Sequence, residues 1–94
     1  MIYKEKFHSK IKSDLKKIDK SVVEKIKSIH LNIILKNPLI YDKLKGNLES
    51  FYSYHFTQNK VTYRIAYRII DDEIIFYFLV AKRENFYKNL TQRS

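Results

Sequence analysis

Residues 73–81 read EIIFYFLVA, and this run constrains the chain more than any other. It is too short and too rich in β-branched and aromatic residues to read as a helix. As a strand it is apolar on both faces, so it belongs inside a sheet that is covered on both sides. The segment before it, VTYRIAYRII (61–70), alternates instead. Tyr63, Ile65, Tyr67 and Ile69 fall on one face, and Arg64, Ala66 and Arg68 on the other, because strand side chains have a period of two. Asp71-Asp72 is a turn between these two strands. FYSYHF (51–56) is a third strand, joined to the second by the turn TQNK (57–60). Strands linked by such tight turns form an antiparallel meander.

The first half of the chain has a helical period. Residues 2–5 are short and extended. Phe7, Ile11, Leu15 and Ile18 then form one apolar stripe, with lysines around the rest of the helix. SVVE (21–24) has the form of a capping box and starts a second helix. Its stripe is Val22, Ile26, Ile29 and Ile33, widened by Val23, His30 and Ile34. Asn37-Pro38 ends it, since a residue before proline is driven out of the helical region. With only Asp19-Lys20 between them, the two helices form a hairpin on one face of the sheet. RENFYKNL, at 83–90, supplies a short helix for part of the other face. The expected fold is α+β: an N-terminal strand and helix hairpin packed on an antiparallel meander, with a short C-terminal helix, in one domain spanning 1–94.

Composition closes off several function classes. One glycine and one proline argue against a glycine-rich phosphate loop and against disorder. The absence of cysteine excludes disulfides and thiolate metal sites, and fits a reducing, cytoplasmic setting. The three histidines lack metal-ligand spacing with acidic residues, so neither metal nor cofactor is expected. No apolar run approaches the roughly 20 residues of a membrane span, and MIYKEKFHSK has no apolar signal core. The net charge is +9, from 19 Lys+Arg against 10 Asp+Glu, which favours polyanionic partners at low salt. Lysine bias explains much of that excess. The four arginines, at 64, 68, 83 and 93, are scarcer, and arginine is the better bidentate partner for phosphate.

KLKG (43–46), YRIAYRI (63–69) followed at once by DDE (71–73), and KREN with Tyr87, in that order and spacing, resemble the RelE/ParE family of bacterial toxins. The similarity spans almost the whole chain. It implies a RelE-like fold and the toxin half of a type II toxin–antitoxin pair. In the RelE branch it implies a ribosome-dependent endoribonuclease that cuts mRNA without a metal. There the 2′-hydroxyl attacks the adjacent phosphate, which requires a base, positive charge on the phosphorane, and an acid for the 5′-oxygen. A gyrase inhibitor of the ParE branch, or a non-catalytic antitoxin-binding relative, are the alternatives. An acidic antitoxin and mRNA on the ribosome are the implied partners, and the free toxin is expected to be a monomer.

Arg64 aligns with the family's phosphate-stabilising arginine, Arg83 with the arginine ending the last strand, and Tyr87 with the C-terminal tyrosine. RelE nucleases carry two lysines on the strand that here has Tyr52 and Tyr54. YoeB nucleases use a glutamate where this chain has Asp42. His55, opposite in parity to the two tyrosines, serves as a substitute base if the strand bends. Tyr52 and Tyr54 are read either as cross-strand packing or as base-stacking groups. Lys45, Lys60 and Arg68 are assigned to the RNA backbone, Arg68 with a structural reading beside it. Arg64 and Arg83 are expected to bracket one phosphate on the face opposite the helix hairpin.

Overall fold

The computed structural model describes residues 2–94. Its core is a five-stranded sheet: β1 Lys4–Phe7, β2 Asp42–Lys43, β3 Tyr52–Gln58, β4 Val61–Ile70 and β5 Ile74–Lys82, in the order β1-β5-β4-β3-β2. β3, β4 and β5 are the expected meander, and β5 lies inside the sheet. β1 adds to β5 in parallel, with Lys4 opposite Ile74 and Phe7 opposite Tyr77. The strand therefore continues through Phe7. Phe7 does not begin the first helix but stacks its ring on Tyr77, centroids 5.0 Å apart.

Both meander turns use left-handed backbone. Asn59 and Lys60 have φ of 53° and 66°, and Asp71 and Asp72 have 53° and 58°. This is the twist that tight hairpins favour, and Asn and Asp tolerate it better than other side-chain-bearing residues. The first turn contains two residues, since Gln58 pairs with Val61.

The helix hairpin covers one face. α1 is short, Ile11–Lys16, with Ile11 buried and Leu15 and Ile18 packed on the same cluster. α2 starts at Lys20, after Asp19, and runs to Lys25. No side-chain cap forms, so SVVE does not act as a capping box here. Five residues, Ile26–His30, make a π turn before α3, Leu31–Lys36. The Leu31 N–H reaches the Ile26 carbonyl in that turn. A π turn adds one residue to the cycle, so it rotates everything after it by about a quarter turn. The buried stripe accordingly runs through Val22 and Ile26 to Ile34, while Ile29 and Ile33 are about 40% exposed. His30 is turned inward, stacks on Phe56 at 3.8 Å and shares a 2.7 Å hydrogen bond with the Tyr54 hydroxyl. As expected, the helix stops before Pro38.

The opposite face holds a second cluster: Leu48, Phe51, Ala66, Phe78, Leu79, Ala81 and, from α4 (Phe86–Arg93), Phe86 and Leu90. A bulge makes this possible. Ala66 pairs with Leu79 but Tyr67 pairs with Tyr77, so Phe78 is an extra residue on β5. Phe78 and Leu79 both join the α4 side, while Tyr77 and Val80 stay with the helix hairpin.

Beyond Tyr77 the chain of β1 has left β5, and the exposed edge is sealed by side chains. Asp14 of α1 accepts from the Val80 N–H at 3.1 Å. Arg93 donates twice to Asp14, at 2.8 Å each, and once to the Phe78 carbonyl at 2.9 Å. This is the one ion pair among the described residues. It ties both ends of the chain to the bulge.

Candidate functional site

β4 is the middle strand, and Thr62, Arg64, Ala66 and Arg68 share its face away from the helix hairpin. Directly paired residues on neighbouring strands share a face. Ser53 pairs with Ala66, and His55 pairs with Arg64. His55 is exposed, so a solvent-accessible imidazole stands across the strand from Arg64 with no bend in β3. The bend expected for His55 is not needed. Any hairpin loop with an even number of residues sets odd positions of β3 beside even positions of β4, so that parity was available from the sequence.

Arg64 itself is held on several sides. Its Nη1 donates to the buried Ser53 Oγ at 3.3 Å. Its guanidinium carbon lies 5.8 Å from the Phe86 ring centroid and 5.9 Å from that of Tyr87. Its Nε is buried with no acceptor. No carboxylate neutralises it among the described residues. The result is a fixed cation whose remaining donors lack a protein acceptor, a combination suited to an anion. Phe86 is fully buried and anchors the start of α4, which leaves its neighbour Tyr87 half exposed.

Arg83 opens the short turn Arg83–Asn85 immediately after β5. Ala81 is the residue opposite Arg64, so Arg83 lies two positions further along, at the same end of the sheet. Its side chain lines an open groove of about 410 Å³ with Lys60, Val61, Thr62, Lys82 and Glu84. The groove adjoins Arg64 through Thr62 and Val61 in sequence, and Arg64 is not among the residues that line it. Lys60 reaches this groove from the β3–β4 turn.

Asp42 pairs with Ser53 and is exposed on the Arg64 face, two strands away from Arg64, roughly 10 Å to the side. His55 is therefore the nearer acid/base group. Lys45 lines a separate open groove with Lys43, Leu44, Gly46, Glu49 and Ser50. Gly46, with φ of 67°, takes the backbone into the left-handed region there.

Tyr52 and Tyr54 point the other way. They pair with Tyr67 and Ile65, on the helix-hairpin face. Tyr54 is buried, and Tyr52 stacks on the buried Tyr67 at 5.4 Å and 9° between planes. Burial raises the Tyr54 hydroxyl above its ordinary value, and Tyr41 adds to this. Tyr54 is core and Tyr52 is partly buried against the same cluster, so both make aromatic packing contacts on the face away from Arg64. Sequence reasoning missed Ser53 as the buried hydroxyl that fixes Arg64. It also missed Phe86 as the ring beneath it. Among the described residues no cluster of three or more His, Cys, Asp or Glu is placed to hold a metal ion, and no helix is long and apolar enough to cross a membrane.

Comparison with known families is decisive at this point. Residues 3–91 match the ParE-like toxin of type II bacterial toxin–antitoxin systems. The chain belongs to that toxin family. Solved structures share its fold. A mutant of the E. coli toxin RelE in the free state superposes with a TM-score of 0.75 at 21% identity, over 99% of this chain and 94% of that one. The RelBE2 toxin–antitoxin complex of Mycobacterium tuberculosis gives 0.75 at 21%, over 88% and 100%. The intact E. coli RelBE complex gives 0.67 at 23%, over 85% and 95%. No curated protein is significantly similar by sequence. In this toxin of RelE fold, Arg64 and Arg68 share one face of the sheet, and the third strand brings Ser53 and His55 to that same face.

Proposed function

We propose that this toxin is a metal-independent endoribonuclease that cuts mRNA on the ribosome in the cytoplasm, and that an acidic antitoxin neutralises it. The observation that carries the reading is the pairing of His55 with Arg64: an exposed imidazole across one strand from a fixed, unneutralised guanidinium. His55 takes the proton of the 2′-hydroxyl. The 2′-oxygen bonds to phosphorus, the bond to the 5′-oxygen breaks, and a 2′,3′-cyclic phosphate and a 5′-hydroxyl are left. Arg64 donates to the phosphorane oxygens as their charge grows. Tyr87, half exposed beside Arg64, is placed to return a proton to the leaving 5′-oxygen. Arg83, Lys60 and Lys45 supply positive charge to the flanking strand. The RelBE complexes among the structural neighbours and the +9 charge support the antitoxin partner.

The ParE-like family match supports gyrase as a rival target. Inducing the protein and mapping mRNA 5′ ends alongside gyrase-linked DNA breaks separates the two. Discrete mRNA cuts that vanish in His55→Ala and Arg64→Ala support the nuclease. DNA breaks without mRNA cuts refute it.

A further inference from the structure

Arg68 lies on the same face of the sheet as Arg64, four residues along β4, roughly 13 Å away, and both are partly buried. Between them lies Ala66, whose small side chain belongs to the cluster under α4. Arg68 is thus a second cation, on the other side of that contact. Its guanidinium carbon is 5.4 Å from the centroids of both Phe51 and Phe78 and 5.7 Å from that of Phe76. Three rings, one from Phe51 just before β3 and two from β5, form a collar around one charge. Its Nε is buried without an acceptor, and no carboxylate lies within 4.0 Å among the described residues. Rings attract a cation but do not satisfy N–H donors. A partly buried charge with no counter-ion is costly, and low-dielectric walls focus its field outward.

We propose that Arg68 in its phenylalanine collar is a second phosphate site, which holds the backbone of the RNA strand at a nucleotide other than the one cut beside Arg64. The proposal rests on the nuclease reading, because alignment with Arg64 on one face is what favours RNA over a carboxylate of a protein partner. Arg68 is then a positioning residue: it fixes the register of the strand and takes no part in bond breaking. The alternative is that the guanidinium only caps the three rings against water.

The test is the salt dependence of binding to an uncleavable 2′-O-methyl oligoribonucleotide, followed by fluorescence anisotropy. For a single strand, each phosphate contact contributes about 0.7 to the slope of log K against log salt. Arg68→Met keeps an apolar stem over the rings and should reduce the slope by about 0.7, a loss of salt sensitivity of about 2.6-fold between 50 and 200 mM salt. Arg68→Lys should restore the slope. Arg68→Gln serves as a second neutral variant should Met disturb packing. An unchanged slope in folded Met or Gln variants overturns the proposal and leaves the capping role. In that case a reduced slope for an acidic peptide would mark the site as a protein contact. A slope reduced by Arg64→Met but not by Arg68→Met rejects this site alone. Wild-type protein without salt-dependent binding to the oligonucleotide overturns this site, while the nuclease reading stands or falls on the mapped mRNA 5′ ends.

Discussion

Replacing Arg93 with alanine should cost far more stability than an ordinary surface ion pair would. An exposed pair is worth about 0–1 kcal/mol. Here the Arg93 side chain is 13% exposed and that of Asp14 is 6% exposed. Removing Arg93 deletes two bonds to Asp14 and one to the Phe78 carbonyl. Asp14 keeps only the Val80 N–H, and its charge stays buried without a counter-ion. Breaking a buried pair on one side costs about 3–5 kcal/mol. A domain of this size has about 5–14 kcal/mol in all, so Arg93→Ala should lower Tm by about 12 °C or more. The double variant Asp14→Leu/Arg93→Met should recover part of the loss, though the Val80 N–H remains unpaired at about 1–3 kcal/mol. Urea unfolding of the two single variants and the double variant gives the coupling directly. A cost under about 1 kcal/mol for Arg93→Ala would mean that the pair is solvated and the edge of β5 is not sealed by it.

Arg64→Ala should abolish toxicity in a folded protein, with cleavage down about 100-fold or more, and Arg64→Lys should restore only part because the fork is lost; primer-extension mapping of cleavage reads both. The π turn predicts that Ile29→Gln and Ile33→Gln change stability by about 0.5 kcal/mol or less, whereas Ile34→Ala costs about 2–5 kcal/mol; equal costs in thermal melts would reject the shifted stripe. Lys60→Gly should stabilise by about 1 kcal/mol, because glycine takes φ of 66° without the Cβ penalty, and a lower Tm would count against strain in that turn. Burial lowers His30 and, with Arg93 and Lys10, His8 from 6.5, so below that pH the unfolded chain binds more protons than the folded one. Stability should therefore be full above pH 6.5 and fall as the pH drops below it, less steeply in His30→Gln, in melts taken from pH 7.5 to 5.5; a Tm that rises with acidification would reverse the sign.

The parts readable in the sequence are those set by neighbours in the chain. The alternation in 61–70, the turn at Asp71-Asp72 and the helix stop at Pro38 are local, and each falls where its residues place it. The π turn is not local: Ile29 and Ile33 fit an α-helical stripe as well as Ile34 does, and only packing of His30 on Phe56 and Tyr54 decides the phase. The bulge at Phe78 is hidden because β5 is apolar on both faces, so no alternation betrays an extra residue. Asp14 and Arg93 are 79 residues apart, beyond any spacing rule. At the candidate site Arg64 was legible as an unusual strand cation. Tyr52 and Tyr54 were placed beside it by likeness to the family's lysines, against the parity that sets His55 there.

The parallel pairing of β1 with β5 has a bearing on synthesis. Lys4–Phe7 are made well before their partners and stay unpaired until residues 74–77 follow. At about 5–20 residues per second this leaves several seconds in which the helix hairpin has no completed sheet to cover. β3 and β4 can pair through their two-residue turn as soon as they emerge, since local pairing is fast. Phe86 and Tyr87, the rings against Arg64, arrive later than every strand. The contact of these rings with Arg64 therefore forms only after the whole sheet has been made.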